Sequence, residues 1–117
     1  MAITYERDKL ISLCPANTDE AQLYLVGANS ETCIDAVLRV VNTDTVDRTY
    51  RIAHCDSAHG NNAAATKDFI AYDVTISPNS PAHEYGVHAK ATQPIRIKAS
   101  IADKVVFHLS GNKITVA

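Results

Sequence analysis

The sequence contains no tryptophan, and aromatic residues make up only 6% of its 117 residues, as five tyrosines and two phenylalanines. Proteins that hold bases or sugars commonly stack them on exposed aromatic side chains. Because few such side chains exist here, the composition favours a scaffold or assembly role over a binding cleft.

An excess of positive charge and a long hydrophobic run are also absent. Lysine and arginine number 11 against 13 acidic residues, which gives a net charge of −2 and argues against a dedicated nucleic-acid binder. No apolar run approaches the roughly 18 residues of a membrane span. The first eight residues lack the basic and apolar regions of a signal peptide, so we expect synthesis in a cytoplasm. Neither nucleic acid nor membrane is an expected partner.

Glycine is scarce, with four residues, and this scarcity excludes several catalytic motifs. No Gly-x-Ser-x-Gly nucleophile elbow and no phosphate-binding glycine-rich loop can be formed. The acidic pairs Asp19 with Glu20 and Asp44 with Asp47 lie in turn-like segments, where solvated caps are the ordinary role. We therefore expect a protein without catalytic residues.

The five histidines do not match a known metal motif. His83 and His88 are five residues apart, whereas a zinc protease helix needs a spacing of four, and on a strand this spacing points the two side chains to opposite faces. The His-x-His pair of a cupin is absent. A second cluster, with His54, Cys55 and His59, lacks a second local ligand pair for a closed zinc site, and it is the one remaining indication of an enzyme. We expect no metal and no cofactor.

The length of 117 residues favours a single domain, residues 1–117. Apolar residues alternate with polar ones along most of the chain, which is the pattern of strands with one buried face. The predicted buried stripes are Ile34, Ala36, Leu38 and Val40; Tyr50, Ile52 and His54; Ile70, Tyr72, Val74 and Ile76; Ile95, Ile97, Ala99 and Ile101; and Val105, Phe107 and Leu109. Shorter strands are expected at residues 9–14 and 22–26, and Arg96 and Lys98 are expected to be solvated.

Turn-forming residues separate these runs and divide the chain into about eight or nine short strands. Residues 102–104 and 111–113 resemble tight hairpin connections. Even spacing of short strands predicts an all-β fold, an antiparallel β-sandwich of jelly-roll type.

One predicted strand carries apolar residues on both faces. Val37 and Val41 lie opposite the Ile34 stripe, where they would be awkward on a monomer surface. They form a possible self-association face, with burial of both faces inside one sandwich as the alternative.

Three cysteines, an odd number, leave at least one thiol that is free or paired between chains. Cys14 and Cys55 lie at predicted strand ends, where exposure is expected, and they are the candidates for an intersubunit disulfide. The alternative is that these two and Cys33 are buried, inert thiols.

Several stretches resemble small virion structural proteins of tailed bacteriophages and cyanophages. They are the start MAITY (1–5), the valine-rich AVLRVVN (36–42), the strand and turn DFIAYDVTISPNS (68–80), and IKAS (97–100) with FHLSG (107–111) near the end. The resemblance implies a location in the virion, assembly as a trimer or ring, and contacts with other virion proteins such as the major capsid or tail proteins. It implies no catalytic residues.

The leading hypothesis is therefore a non-enzymatic phage structural protein, an oligomeric capsid decoration or cement protein or a neck or tail accessory subunit. The alternative is a receptor- or carbohydrate-binding module of a phage fibre. That role would need exposed aromatic side chains, for which Tyr5, Tyr24 and Tyr85 are the candidates.

Overall fold

Two four-stranded antiparallel sheets face each other across a hydrophobic core in the computed structural model, which describes residues 3–27, 32–57 and 62–116. The strands are β1 (Ile3–Leu13), β2 (Ala21–Leu25), β3 (Thr32–Asn42), β4 (Arg48–His54), β5 (Phe69–Ile76), β6 (His83–Lys90), β7 (Pro94–Ala99) and β8 (Val105–Val116). A 3-10 turn, Thr66–Asp68, precedes β5.

The strand order is that of an eight-stranded jelly roll. Sheet A has the order β1-β8-β3-β6 and sheet B the order β2-β7-β4-β5, so most connections cross from one sheet to the other. The first and last strands are neighbours, because β1 pairs with β8. The all-β sandwich and its strand number are confirmed.

The core is built from the inward faces that the alternation predicts. On β3 the Ile34 to Val40 stripe is buried, with Leu38 and Val40 fully inaccessible. Ile97 on β7 and Phe107 on β8 are 1% and 0% exposed, so both predicted core positions are confirmed. Tyr50 of β4 meets the Phe107 ring edge-on, which joins the two sheets at the centre of the core.

Both predicted hairpins are wrong. The turn at residues 102–104 connects β7 in sheet B to β8 in sheet A, so the flanking strands are not paired with each other. Residues 111–113 lie inside β8, which continues through them as a twelve-residue strand. Gly111 allows this because β8 passes very close to β3 at this residue, where glycine has a φ of 152°.

The predicted stripe on β5 is also wrong in part. Ile76 is buried, but Ile70 and Tyr72 are 45% and 56% exposed, and Ala71 is buried in their place. The pairing with β4 shifts twice, because β5 contains extra residues at these positions, and Asp73 adopts a positive φ of 50°. Each extra residue is a β-bulge, which changes the face on which the following side chains lie.

Candidate assembly surfaces

The outward face of sheet A carries the two valines that the sequence singled out. Val37 is half-buried and Val41 is 37% exposed, and both point away from the core. Between them, Arg39 donates from Nε to Oε1 of Glu84 on the neighbouring strand β6, at 2.9 Å. Valines beside a surface ion pair make this a mixed apolar and charged face.

The two histidines of β6 lie on opposite faces, as their spacing predicts. His88 is outward and forms an ion pair with Asp35 of β3 when protonated, with 2.9 Å between Nδ1 and Oδ1. His83 is inward, and its Nδ1 shares a hydrogen bond of 2.7 Å with the Tyr50 hydroxyl. That hydroxyl also bonds to the hydroxyl of Tyr85.

His83 and Tyr85 provide hydrogen-bond partners for the hydroxyl of Tyr50, the one polar atom of a large side chain that is 1% exposed. Burial, followed by the hydrogen bond with Tyr85, raises the pKa of Tyr50 far above its ordinary value. The phenol is therefore neutral at any physiological pH and acts as a structural hydrogen-bonding group. A buried, hydrogen-bonded phenol of this kind holds β4 and β6 together across the core.

The surface of sheet B has its own cluster where β5 bulges. Arg51 of β4 donates from Nε and Nη2 to the two carboxylate oxygens of Asp73, at 2.7 and 3.0 Å. The Arg51 guanidinium also lies 4.0 Å from the centre of the exposed Tyr72 ring, and Phe69 meets that ring edge-on. The side-chain hydrogen bond from Arg51 is the main reason that the pKa of Asp73 is lowered.

Of the tyrosines named as candidate binding side chains, Tyr24 and Tyr85 are half-buried. The side chain of Tyr5 lies outside the described part of the chain. Tyr72, which the alternation assigned to the core, is instead 56% exposed. Sequence reasoning missed it because the bulges that turn it outward depend on tertiary pairing with β4.

The three cysteines have different environments. Cys14 is exposed just beyond β1, and Cys33 is half-buried on the outward side of β3. Cys55 is 1% exposed, so the expectation that it is accessible is wrong. Burial, together with the nearby Asp68 carboxylate, raises the pKa of the Cys55 thiol to about 11. A thiol in this environment is protonated at neutral pH and a poor nucleophile.

Arg96, expected to be solvated, is buried beneath the segment that connects β4 to β5. Its Nε donates to Oε2 of Glu20 at 2.7 Å, and the backbone N–H of Ala64 donates to the same oxygen. Burial of Arg96 is tolerated because its charge is paired. The alternation places it correctly on the face opposite Ile97, but it cannot show that a loop covers this face.

The cluster at the end of β4 is only partly described. His54 shares a hydrogen bond of 2.8 Å between its Nε2 and Oε1 of Gln93, while His59 lies outside the described residues. Over residues 3–27, 32–57 and 62–116, no three histidine, cysteine or acidic side chains converge in a group that could hold a metal ion.

The same ranges show no pocket. They also contain no helix long and apolar enough to span a membrane.

No protein-family model matches the sequence. No curated protein matches it either. Among solved structures, the chain is similar in fold to a protein of the Bacillus endospore appendages, described as a family of disulfide-linked pili. The TM-score is 0.59 at 14% identity, over 100% of this chain and 93% of that one. A chain of infectious bursal disease virus, strain Gx, matches with a TM-score of 0.44 at 14% identity, over 98% of this chain and 32% of the viral one.

Proposed function

We propose that the protein is a non-enzymatic structural subunit that associates with copies of itself, and that the assembly it serves is a tailed-phage virion. In that particle it would act as a capsid decoration or cement protein or as a neck or tail accessory subunit. The observation that carries the proposal is the outward position of apolar side chains on both sheets. Val41, Ile70 and Tyr72 are 37%, 45% and 56% exposed. Exposed apolar side chains on an outer sheet face are the kind of surface that contact with another copy would cover.

Self-association is tested with the valines of sheet A. Replacing Val37 and Val41 together by Asp should shift the protein toward monomer in light scattering at micromolar concentration. The control is Val46→Asp, which makes the same change at a valine that is 50% exposed in the β3–β4 loop. A protein that stays monomeric at every concentration and also fails to bind phage particles contradicts the proposed function.

Covalent linkage between copies is a second part of the proposal. The pilus protein of similar fold belongs to disulfide-linked pili, which makes the same chemistry worth testing here. With Cys55 buried, the pair expected from sequence, Cys14 with Cys55, would require the fold to open, and the accessible thiols are Cys14 and Cys33.

These two cysteines cannot bridge within one molecule. Leu13, next to Cys14, pairs with Phe107 near one end of β8, whereas Cys33 pairs with Ile114 near the other. The separation along β8 is about 23 Å at about 3.3 Å per residue, far beyond the roughly 7 Å that a disulfide allows. A Cys14–Cys33 bridge therefore joins two copies, end to end.

Non-reducing electrophoresis of oxidised assemblies tests this linkage. We expect a ladder of reductant-sensitive oligomers that is lost in Cys14→Ser and in Cys33→Ser. Cys55→Ser is the matched control and should keep the ladder, provided that the variant remains folded by circular dichroism. A single monomer band with and without reductant would show that no intersubunit disulfide forms.

Carbohydrate binding is the second candidate function, and the exposed Tyr72 ring is the observation that favours it. Arg51 covers one face of this ring, and the Asp73 carboxylate beside it offers a hydrogen-bond acceptor for sugar hydroxyls. A glycan array with the unmodified protein and with Tyr72→Ala separates the two functions. Binding that disappears with Tyr72→Ala supports the fibre module, and absence of any glycan signal supports the assembly role.

A further inference from the structure

The four edge strands of the two sheets differ in regularity. β1 carries an extra residue at Leu10 opposite β8, and β2 carries one at Leu23 opposite β7. β5 has two such shifts opposite β4, near Ile70 and Tyr72. Bulges break up the row of free N–H and C=O groups along an edge, and proteins use them to prevent unwanted pairing.

The edge strand β6 has no such interruption. It pairs with β3 residue for residue over its whole length, from Cys33 opposite Lys90 to Val40 opposite His83. In the described part of the chain, β3 is its one neighbour in the sheet. β6 therefore presents a regular edge from His83 to Ala89, which is the geometry that accepts another strand. At Lys90 the N–H already donates to Oε1 of Gln93, and the C=O accepts from the Gln93 N–H.

The outward positions of β6 are Glu84, Gly86, His88 and Lys90. Their charges can pair with those of a second, antiparallel copy of the same strand. When a second β6 pairs antiparallel about Val87, Glu84 of each copy lies opposite Lys90 of the other, and His88 lies opposite Gly86, which leaves room for the ring. Directly opposed charges of opposite sign stabilise a strand pair.

Neighbouring strands extend this charge pattern. Arg39 of β3 already binds Glu84, and the Glu84 side chain is 57% exposed, so it remains accessible to a second cation. In the paired register, Lys90 of the second copy would supply that cation on the other side of the carboxylate. Asp35 pairs with His88 in the same sheet. Across the junction, Arg39, Glu84 and Lys90 of the second copy then form a line of alternating charges.

Other antiparallel registers lose this match. A shift of the second strand by two residues in one direction puts Glu84 opposite His88 and Lys90 opposite Ala82. A shift in the other direction puts Glu84 opposite Thr92 and the two His88 side chains opposite each other. The register about Val87 is thus the one of these three in which both fixed charges are paired.

We propose that two copies of the protein pair through β6, antiparallel and centred on Val87, so that their A sheets join into one continuous eight-stranded sheet. The inference rests on the proposed self-association and names the surface and the register by which one contact forms. It is an isologous contact, with the same strand contributed by both copies.

Charge reversal tests the pairing. Glu84→Lys alone and Lys90→Glu alone each place like charges opposite each other at two positions in the symmetric dimer. We expect each variant to dimerise at least tenfold more weakly than the unmodified protein in sedimentation velocity. Mixing the two variants should restore dimerisation, because the cations of one then face the anions of the other. Lys104→Glu, in the turn before β8, is the control for a change of net charge.

Thermal unfolding checks that the variants are folded, since Glu84→Lys also removes the Arg39 ion pair. Recovery in the mixture supports the inference, because a folding defect is not repaired by mixing. Single variants that dimerise as tightly as the unmodified protein, or a mixture that stays monomeric, overturn the β6 contact while leaving self-association through other surfaces intact. An unmodified protein that is monomeric at every concentration overturns both.

Discussion

Gly111 shows how closely two backbones approach inside sheet A. A Cβ atom at this position would lie 2.5 Å from the carbonyl oxygen of Asp35 and 2.6 Å from the Cα of Ala36. Both are main-chain atoms of β3, so neither can rotate away as a flexible side chain would. The positive φ adds a second reason why a side chain is disfavoured here.

Gly111→Ala should therefore destabilise the protein by about 2–4 kcal/mol, from overpacking together with backbone strain. Gly27→Ala is the control, because a Cβ there meets nothing within 4 Å. Urea denaturation of both variants gives the comparison. Equal midpoints for the two would mean that β8 and β3 are not in such close contact.

The ionised carboxylate of Asp73 should make the free energy of unfolding depend on pH. Its carboxylate binds Arg51, and its pKa is lowered from the ordinary 3.8. A group with a lowered folded-state pKa stabilises the fold above its unfolded pKa and loses that effect as the pH falls through the folded value. Asp73→Asn should thus be less stable than the unmodified protein at pH 7, and the difference should shrink below about pH 4.

Urea midpoints measured between pH 7 and pH 3 test this prediction. Arg51→Gln should remove the same acid-sensitive component, because it leaves Asp73 without its cation. A difference that stays constant across this pH range would show that the ion pair does not contribute.

Among the strands, β7 shows what alternation can and cannot reveal. Its inward residues Ile95, Ile97 and Ala99 are buried as the pattern predicts. Its other face divides, because Arg96 is covered and paired with Glu20, whereas Lys98 is partly exposed. The period of two identifies the face, but whether a loop covers it depends on contacts between residues far apart in sequence.

Arg96 and Lys98 lie on the same face of β7, but we expect their replacement by alanine to change stability by very different amounts. Arg96→Ala should cost about 3 kcal/mol, because it breaks the largely buried ion pair between Arg96 Nε and Glu20 Oε2. Lys98→Ala should cost less than about 0.5 kcal/mol. Ile97→Ala, in the core, should cost about 2–5 kcal/mol. Chemical denaturation of the three variants gives the order, and an Arg96→Ala variant as stable as Lys98→Ala would contradict the buried ion pair.

β5 marks the limit of prediction from sequence. The alternation Ile70, Tyr72, Val74, Ile76 is regular in the sequence, yet two bulges opposite β4 turn Ile70 and Tyr72 outward. Neither bulge contains glycine, the residue that most often signals one. The fold class, the β3 face and the β7–β8 core followed from local pattern. The exposed cluster around Tyr72 did not, because it arises from strand pairing.

At the scale of the whole molecule, the last strand occupies an inner position. β8 lies between β1 and β3 in sheet A, so without it β1 is no longer connected to β3 and β6. Pairing the first strand with the last also means that folding must close a loop of nearly the whole chain. Non-local pairings of this kind slow folding.

A fragment that ends at Lys104 should consequently lack cooperative unfolding. Its far-ultraviolet circular dichroism should be that of a largely unfolded chain, and addition of a synthetic peptide covering residues 105–117 should restore strand signal. A peptide with the same composition in scrambled order is the control. A fragment that melts cooperatively without the peptide would contradict the central role of β8.

The pairing of β1 with β8 also places Ile3 directly across from Val116. Adjacent strands lie only about 5 Å apart, so a short glycine-rich peptide could join these two positions into a circular polypeptide. A closed ring has fewer conformations available when unfolded, and it should therefore resist heat better than the linear form. The same proximity offers a route to permuted versions that open at an exposed turn, such as the one around Asn79, while the paired strands stay joined.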